Sequence, residues 1–443
     1  MRGAGADRLG EDVVDPDMAS SGSMHLVCDA CGRVLPADRS PGRCSCGGLP
    51  ELVFALPESI DPTVYDRRRD GLDPLDRSGV WRYREFLPPL PPDQIVTRPE
   101  GNTNLYSAAA LSTWTGCPHL LLKHEGENPT GSFKDRGMTV ATSHARAVGA
   151  RVVACASTGN TSASVAAYAA MAGLPAVVFL PEGKISAAKL GQAIAYGARI
   201  VQVRGDFDSA MRLVQEASQE LGLYLLNSIN PFRLAGQKTI VIELLHQLCW
   251  EPPDWIVLPG GNLGNTAAFG MAIVELEAAG LIRRRPRLAV IQAEGASPFY
   301  RAYRNGFASF SPEPAETVAS AIRIGNPVSY DRARRSILET DGVVEIVTDD
   351  EILEAKARVD RSGIGCEPAS AASVAGVRKL VRSGVIMPGQ RVVALLTGHL
   401  LKDPDTVMTY HLGPEAGHRP MTNRPITIEP TVAALRGVLS DVA

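Results

Sequence analysis

The sequence predicts an α/β fold with parallel sheets, because short apolar runs alternate with helical patterns along most of the chain. Residues 150–157 are mostly β-branched or small and apolar, and the alanine-rich pattern after them is helical up to Gly173, a typical C-terminal stop. Residues 255–258 begin a second such unit, with a glycine-containing loop at 260–265 and a helical pattern beyond it. A further buried strand is predicted at 391–396. This alternation favours twisted parallel sheets that are flanked by helices and joined by right-handed crossovers.

The composition is that of a folded protein large enough for two cores or more, with 443 residues, 45% hydrophobic and 21% charged. A formal net charge of −3 provides no broad basic field, so neither nucleic acid nor a membrane surface is expected as a partner. No apolar run approaches the roughly 18 residues that a membrane-spanning helix needs. Residues 1–23 are polar and predict a flexible N-terminal extension, not a secretory signal. We therefore expect a cytoplasmic protein.

Four of the eight cysteines are close together in a leader at residues 24–60. Cys28 and Cys31 form a CxxC pair, Cys44 and Cys46 form a CxC pair, and a glycine that allows a tight turn follows each pair. Four thiolates in this arrangement suit the tetrahedral coordination of structural zinc, as in a zinc ribbon. Because the second pair is one residue short of CxxC, a β-hairpin cap with reduced thiols remains the alternative. The other cysteines are predicted core residues of a cytosolic protein: Cys117, Cys155, Cys249 and Cys366.

Lys134, in the segment NPTGSFKDRG, is the strongest indication of chemistry. A lysine whose ammonium is partly desolvated has a lowered pKa, and its neutral amine can bind an aldehyde cofactor as a Schiff base. From this segment alone, a surface lysine beside a salt-bridged Asp135 and Arg136 is an equally good interpretation.

Two turns between a strand and a helix, at 157–161 and 260–265, are candidate anion sites. Their glycines would let backbone N–H groups close around a phosphate at the positive end of a helix dipole, although an ordinary tight turn has the same pattern. Thr397 follows the strand at 391–396, at the sheet edge where open α/β folds bind ligands. A Schiff-base lysine, a phosphate loop, an asparagine-bearing turn and a hydroxyl are together what pyridoxal phosphate requires.

With these segments assembled, the chain resembles the threonine synthases, which are fold-type II pyridoxal-phosphate enzymes with the architecture of the tryptophan synthase β chain. STGNTS at Ser157 favours this branch over the dehydratases (SAGNHAQG) and the cysteine synthases (TSGNTG). The resemblance implies two α/β domains with the cofactor between them. The small domain would span 120–226 and the large domain 61–119 and 227–443, with a short C-terminal helix packed on the latter, and the protein would be a homodimer. Further matching segments include NPTGSFKDRGM at Asn128, NSINPFRLAGQKT at Asn227, GGNLGN at Gly260, CEPASAASVAG at Cys366 and TGHLLKDP at Thr397.

The resemblance also implies roles for individual residues toward the cofactor, pyridoxal phosphate. Lys134 would bind it covalently and, once the substrate amine displaces the lysine, act as the base at Cα and Cβ. Asn160 would hydrogen-bond the phenolic oxygen, and Thr397 would meet the pyridine nitrogen. The phosphate would be cradled by a loop, mainly through its backbone N–H groups: Gly261, Asn262, Leu263, Gly264 and Asn265.

A small phosphorylated amino acid is the implied substrate. Ser157, Thr158 and Thr161 would bind its carboxylate at a helix N-terminus. Its phosphate would be bound by two cations, with two neutral donors beside them: Lys189, Arg233, Asn227 and Ser228. Outside such matched motifs, the cations would more simply be solvated surface residues.

The implied reaction converts O-phospho-L-homoserine and water to L-threonine and phosphate by β,γ-replacement. Two departures from the family pattern leave alternatives open: Leu400 replaces a glycine of TGHGLKDP, and Asn104 replaces the proline of EGNTPL. One alternative is a specialised relative, such as a cysteate-synthase-like enzyme that performs β-replacement on O-phosphoserine or acts on a phosphonate analogue. The other is a catalytically weak pyridoxal-phosphate-binding protein of the same fold.

Overall fold

A computed structural model describes residues 24–57, 59–183, 187–205 and 207–440, without the side chains of 187–189, 207, 208 and 440. The predicted flexible extension at 1–23 and the side chain of Lys189 therefore lie outside the described part. The strands are β1 (Met24–Cys28), β2 (Val34–Leu35), β3 (Pro50–Phe54), β4 (Leu105–Tyr106), β5 (Leu120–His124), β6 (Val153–Ala156), β7 (Ala176–Pro181), β8 (Arg199–Val203), β9 (Tyr224–Leu225), β10 (Trp255–Pro259), β11 (Arg287–Ala293), β12 (Val343–Val347) and β13 (Val392–Leu396). The helices are α1 (Thr63–Arg69), α2 (Pro74–Arg77), α3 (Ala109–Thr115), α4 (Lys134–Ala147), α5 (Asn160–Ala172), α6 (Ala187–Ala195), α7 (Phe207–Glu220), α8 (Pro231–Gln237), α9 (Thr239–Gln247), α10 (Gly264–Ala278), α11 (Pro298–Arg304), α12 (Tyr330–Glu339), α13 (Asp349–Arg361), α14 (Pro368–Arg382), α15 (Pro404–Leu412) and α16 (Val432–Ser440).

The strands form three sheets. The largest has the order β12-β11-β10-β13-β5-β4 and is parallel except for the edge strand β4. A second, fully parallel sheet has the order β8-β7-β6-β9. The leader forms a small antiparallel sheet with the order β2-β1-β3. The predicted α/β class with parallel sheets and a separate leader is confirmed.

Both faces of the large sheet are buried, as expected for parallel strands covered by helices. In β10, Ile256 and Leu258 pack into one apolar cluster, whereas Trp255 and Val257 pack into the cluster on the opposite face. This two-sided burial explains why the strand reads as an uninterrupted apolar run. The predicted strand positions near 150–157, 255–258 and 391–396 and the helix stop at Gly173 are confirmed.

The sheets revise one predicted boundary. Although the small domain was predicted to begin at residue 120, β5 is a strand of the large sheet, where it pairs with β13. A boundary after His124 fits the sheet topology better.

The C-terminal helix α16 is present, but its predicted packing on the large domain is wrong, because Val432, Leu435 and Leu439 are exposed. Within the described residues, no helix is both long and apolar enough to cross a bilayer.

Two glycines allow α4 and α8 to approach closely, and this contact positions the candidate site. A Cβ atom on Gly137 of α4 would lie 2.7 Å from the backbone oxygen of Arg233 in α8. A Cβ atom on Gly236 of α8 would overlap the backbone oxygen of Arg136 in α4. Because neither residue has a side chain, the helix that begins at Lys134 lies directly against the helix that carries Arg233.

Candidate active site

Lys134 is the first residue of α4. The residue before it is tied to the end of β13, because the backbone N–H of Phe133 donates to the carbonyl of Thr397 at 3.0 Å. The lysine keeps some contact with solvent, and its Nζ lies 4.1 Å from the centroid of the Phe133 ring. Desolvation of the amine and the nearby positive charge of Arg233 lower the pKa of Lys134 to about 7, against the opposing effect of Glu367. An amine with this pKa is neutral in a substantial fraction of molecules near pH 7, unlike a solvated surface lysine, whose pKa is about 10.4.

Glu367 interacts with three of the predicted cofactor residues, although it was not among the residues predicted from the sequence. Its carboxylate accepts hydrogen bonds from Asn160 Nδ2 at 3.0 Å and from Thr397 Oγ1 at 3.2 Å. Burial raises the pKa of Glu367, and the charge of Lys134 opposes the rise. Lys134, Asn160 and Thr397 therefore converge on one buried carboxyl group. The sequence signal was the glutamate of CEPASA, which immediately precedes α14.

The loop between β10 and α10 has the geometry of an anion seat. Leu263, just before the helix, has a left-handed backbone with φ of 63°. A Cβ atom on Gly261 would lie 3.1 Å from Ala321 O, so a larger residue would crowd the loop. In the first turn of α10, Asn265 Oδ1 and Thr266 Oγ1 are buried without a hydrogen-bond partner among the described residues. The Thr266 hydroxyl can donate to an anion at this helix N-terminus, so the phosphate of pyridoxal phosphate fits the loop.

Asn262 helps to fix the shape of this loop through its side-chain and backbone oxygens. Its Oδ1 accepts from the backbone N–H of Val328 at 3.3 Å, and its carbonyl accepts from that of Ser329 at 3.2 Å. The phosphate loop is therefore attached to the segment that leads into α12.

The turn before α5 offers a second helix N-terminus. The hydroxyl of Ser157 accepts from the backbone N–H of Gly159 at 3.2 Å, which stabilises the turn, and no side chain caps the helix at Gly159. Thr158, Asn160 and Thr161 are partly buried and keep some contact with solvent. The predicted carboxylate-binding residues thus lie together beside Asn160.

Arg233, on α8, is a buried guanidinium that no carboxylate neutralises within the described part of the chain. It is 2% exposed, Nη1 donates to the carbonyl of Leu226 at 3.0 Å, and Nε has no hydrogen-bond partner. Burial lowers the pKa of Arg233 to about 10. A desolvated cation is costly unless an anion pairs with it, so this position calls for an anionic ligand.

The other predicted phosphate ligands differ in their surroundings. The side-chain amide of Asn227 is hydrogen-bonded to the backbone of Ala156. Its oxygen accepts from the Ala156 N–H at 3.0 Å, and its nitrogen donates to the Ala156 carbonyl at 3.0 Å. It therefore holds the end of β6 in place with its oxygen and one of its two N–H groups. Ser228 is partly buried beside it.

The two departures from the family pattern have local structural explanations. Leu400 packs against Gly365, where a Cβ atom would lie 3.2 Å from the leucine Cβ, so the absence of a side chain at Gly365 accommodates it. Asn104 donates to Glu127, with its backbone nitrogen 2.7 Å from Oε2. Neither contact favours an altered substrate over the one implied by the remaining site residues.

The four leader cysteines are also brought together. Their sulfur atoms all lie within 4.8 Å of one another, with Cys28 and Cys46 3.4 Å apart and Cys31 and Cys44 3.7 Å apart. These separations are too long for disulfides, whose sulfur atoms are about 2.05 Å apart. A regular tetrahedron with zinc–sulfur distances of about 2.3 Å has sulfur atoms roughly 3.8 Å apart, so the cluster fits a zinc ion.

Comparisons with known proteins agree with this site. Residues 96–398 match the family described as pyridoxal-phosphate dependent enzyme. The threonine synthase of Methanocaldococcus jannaschii is 44% identical over 417 residues, which cover 94% of this chain and 99% of that protein. The threonine synthase of Methanosarcina acetivorans is 46% identical and covers 87% of this chain and 93% of its own length. Among solved structures, threonine synthase from Escherichia coli shares the fold, with a TM-score of 0.67 at 20% identity over 95% of this chain and 100% of that chain.

Proposed function

Because the chain belongs to the threonine synthase family of pyridoxal-phosphate-dependent enzymes, we propose that it converts O-phospho-L-homoserine and water to L-threonine and phosphate. The observation that carries the proposal is the pairing of Lys134, whose pKa is lowered to about 7, with the unneutralised guanidinium of Arg233 in the same site. The first supports covalent attachment of an aldehyde. The second supports an anionic substrate.

The described residues fit pyridoxal phosphate at both of its ends. Lys134 would bind its aldehyde carbon, Asn160 its phenolic oxygen and Thr397 its ring nitrogen. The loop at 261–265 would hold its phosphate, beside the buried Thr266 hydroxyl, which has no hydrogen-bond partner among the described residues. When bound, the cofactor supplies an electron sink that makes the α-hydrogen of an attached amino acid acidic.

The remaining steps depend on this chain's own groups. The N-terminus of α5, with Ser157, Thr158 and Thr161, would orient the substrate by its carboxylate. Lys134, neutral after the substrate displaces it, would take the proton from Cα and, once it has given up that proton, the proton from Cβ. The departure of phosphate from Cγ would be followed by protonation at Cγ and by addition of water at Cβ, which supplies the hydroxyl of threonine, and a proton would return to Cα. Arg233 would neutralise the phosphate as it leaves Cγ, because a planar guanidinium can donate two hydrogen bonds to one phosphate. Lys189 would assist it.

Arg233→Ala is expected to raise KM for O-phosphohomoserine roughly 10- to 150-fold, the loss expected for hydrogen bonds to a charged group worth about 1.5–3 kcal/mol. Steady-state assays of phosphate release, with the product identified by mass, measure this effect. Cofactor absorbance should persist in the variant, because Arg233 is not assigned to the cofactor. Arg301→Ala, which removes an exposed arginine of α11, serves as the matched control and should leave KM unchanged.

A panel of O-phosphohomoserine, O-phosphoserine and threonine tests the choice of substrate. Threonine formed only from O-phosphohomoserine supports the proposal. Phosphate release without threonine, or replacement chemistry on O-phosphoserine, would establish the specialised relative instead. Binding of the cofactor with no turnover of any member of the panel would indicate the catalytically weak protein.

Cofactor loading should depend on pH with a midpoint near 7. The attaching species is the neutral amine, and a lowered pKa means that this species is scarce below the pKa and predominates above it. The rate of covalent attachment of pyridoxal phosphate to cofactor-free protein should therefore rise through pH 7 and level off near pH 8, as followed by visible absorbance. A rise centred near pH 10 would mean that the amine is solvated.

We further propose a cytoplasmic location and a homodimeric assembly. The absence of a membrane-spanning helix in the described residues and the −3 net charge support the first. The second rests on the family resemblance, and sedimentation of the loaded protein tests it.

A further inference from the structure

We propose that Cys28, Cys31, Cys44 and Cys46 bind one zinc ion, and that this metal makes the leader a strap that joins the sheet β8-β7-β6-β9 to the candidate phosphate loop at 261–265. The proposal goes beyond the proposed reaction, because it assigns a metal and a mechanical role to a segment outside the catalytic cleft.

The two cysteine pairs lie on two tight turns that aim their sulfur atoms at one point. Gly32 and Gly47 adopt left-handed conformations with φ of 72° and 90°, and their N–H groups donate to Cys28 O at 3.0 Å and Cys44 O at 2.8 Å. Gly48 lies so close to Cys28 Sγ that a Cβ atom there would overlap the sulfur. Four thiolates converging on one point repel one another, and a divalent cation removes that cost.

The same turns connect the leader to α12. Asp29, which follows Cys28, accepts from the backbone N–H of Leu49 at 2.7 Å and lies 3.2 Å from Arg332 Nε. Arg332 also donates from Nη2 to the carbonyl of Pro50 at 2.9 Å. Glu51 pairs with Arg335 at 2.8 Å. Two arginines of α12 therefore hold the leader at its first cysteine turn and directly after its second cysteine turn.

The beginning of α12 in turn holds the phosphate loop. The backbone N–H groups of Val328 and Ser329, just before the helix, donate to Asn262. Leu49 of the leader and the partly buried Val328 pack into one apolar cluster with Ile229. Only a few covalent and hydrogen-bonded links therefore separate the metal cluster from the candidate phosphate seat.

The middle of the leader is attached to the sheet β8-β7-β6-β9 and to α4. Ser40 Oγ accepts from the backbone N–H of Leu225 in β9 at 2.8 Å, and the carbonyl of Ala37 lies 2.9 Å from His144 Nε2 in α4. Both contacts lie in the chain segment between the two cysteine pairs. Closing that segment into a metal-bound loop fixes its ends and thereby the positions of both contacts.

Zinc content and hydrogen exchange test the two parts separately. Purified full-length protein should contain close to one zinc per chain by plasma mass spectrometry. The double variant Cys31→Ser/Cys46→Ser, which changes only exposed cysteines, should contain almost none. Cys249→Ser, which removes an exposed cysteine outside the cluster, is the matched control and should keep its zinc. Wild-type protein without zinc, or with iron in its place, would overturn the assignment of the metal.

The role as a strap is tested by stripping zinc from wild-type protein with a chelator and following amide exchange by mass spectrometry. Peptides around Leu225 and around Val328 and Ser329 should exchange roughly tenfold faster or more after stripping, since their N–H groups depend on the leader or lie beside it. The central strand β11 should not change and serves as the internal control. Faster exchange confined to residues 24–54 would overturn the strap while leaving the metal site intact.

Discussion

Lys134→Ala is expected to abolish turnover and covalent cofactor attachment together, with kcat/KM falling by about 10³-fold or more. The amine of Lys134 has a pKa of about 7 and lies beside Arg233 and Glu367 at the start of α4, so one group serves as both the attachment point and the base. Phosphate release from O-phosphohomoserine measures turnover. The visible absorbance of protein saturated with pyridoxal phosphate, and its fixation by borohydride, measure attachment.

Two controls separate the loss of chemistry from the loss of structure. Lys379→Ala removes a partly exposed lysine of α14 and should retain both the absorbance and the activity. After borohydride reduction of the wild-type protein, mass spectrometry should find the added mass on the peptide that contains Lys134. Labelling of Lys402, which lies nearby and donates to the carbonyl of Thr130 at 2.9 Å, would show that the wrong amine has been assigned.

Local patterns in the sequence predicted much of the fold. Apolar runs marked β6, β10 and β13, and the left-handed Gly173 ended α5 where expected. The strand β5 was assigned to the wrong domain, because its partner β13 lies far along the chain and strand pairing at that separation leaves no local signal. The exposure of the apolar residues of α16 likewise leaves no local signal in the sequence, because it depends on which surfaces the rest of the chain covers.

The candidate site was predictable where a motif carries its own geometry and unpredictable where distant groups meet. Lys134 and the loop at 261–265 belong to the first kind. Glu367 belongs to the second, since it meets Asn160 across 207 positions. Asn227 also belongs to the second kind, because its amide is bound to the backbone of Ala156, 71 positions away, while its role toward the substrate stays a prediction. Side-chain chemistry alone does not reveal which partner a polar group has.

A buried network of charges holds the helix that begins at Lys134. Arg136, two residues later, pairs with Glu125 at 2.6 Å and with Glu243 at 2.8 Å, and Glu243 also binds Lys123 at 2.6 Å. Burial opposes ionisation of Glu243, but Arg136 and Lys123 hold the pKa of its carboxyl well below the usual range. The side chains of Lys123, Arg136 and Glu243 are at most 2% exposed. Removing Glu243 would leave the buried ammonium of Lys123 without its paired carboxylate, whereas Arg136 would keep Glu125.

Glu243→Ala should therefore lower the free energy of unfolding by about 3–5 kcal/mol, the usual result of breaking a buried ion pair from one side. Glu243 also accepts from the backbone N–H groups of Asn102 and Thr103, so the variant leaves two further donors unpaired. Urea unfolding followed by circular dichroism measures the change. Glu415→Ala, which removes an exposed partner of Arg419, is the control and should cost less than about 1 kcal/mol. Equal losses in the two variants would mean that the buried network contributes no more than a surface pair. In that case, the close contact between α4 and α8 would have to position Lys134 without help from these charges.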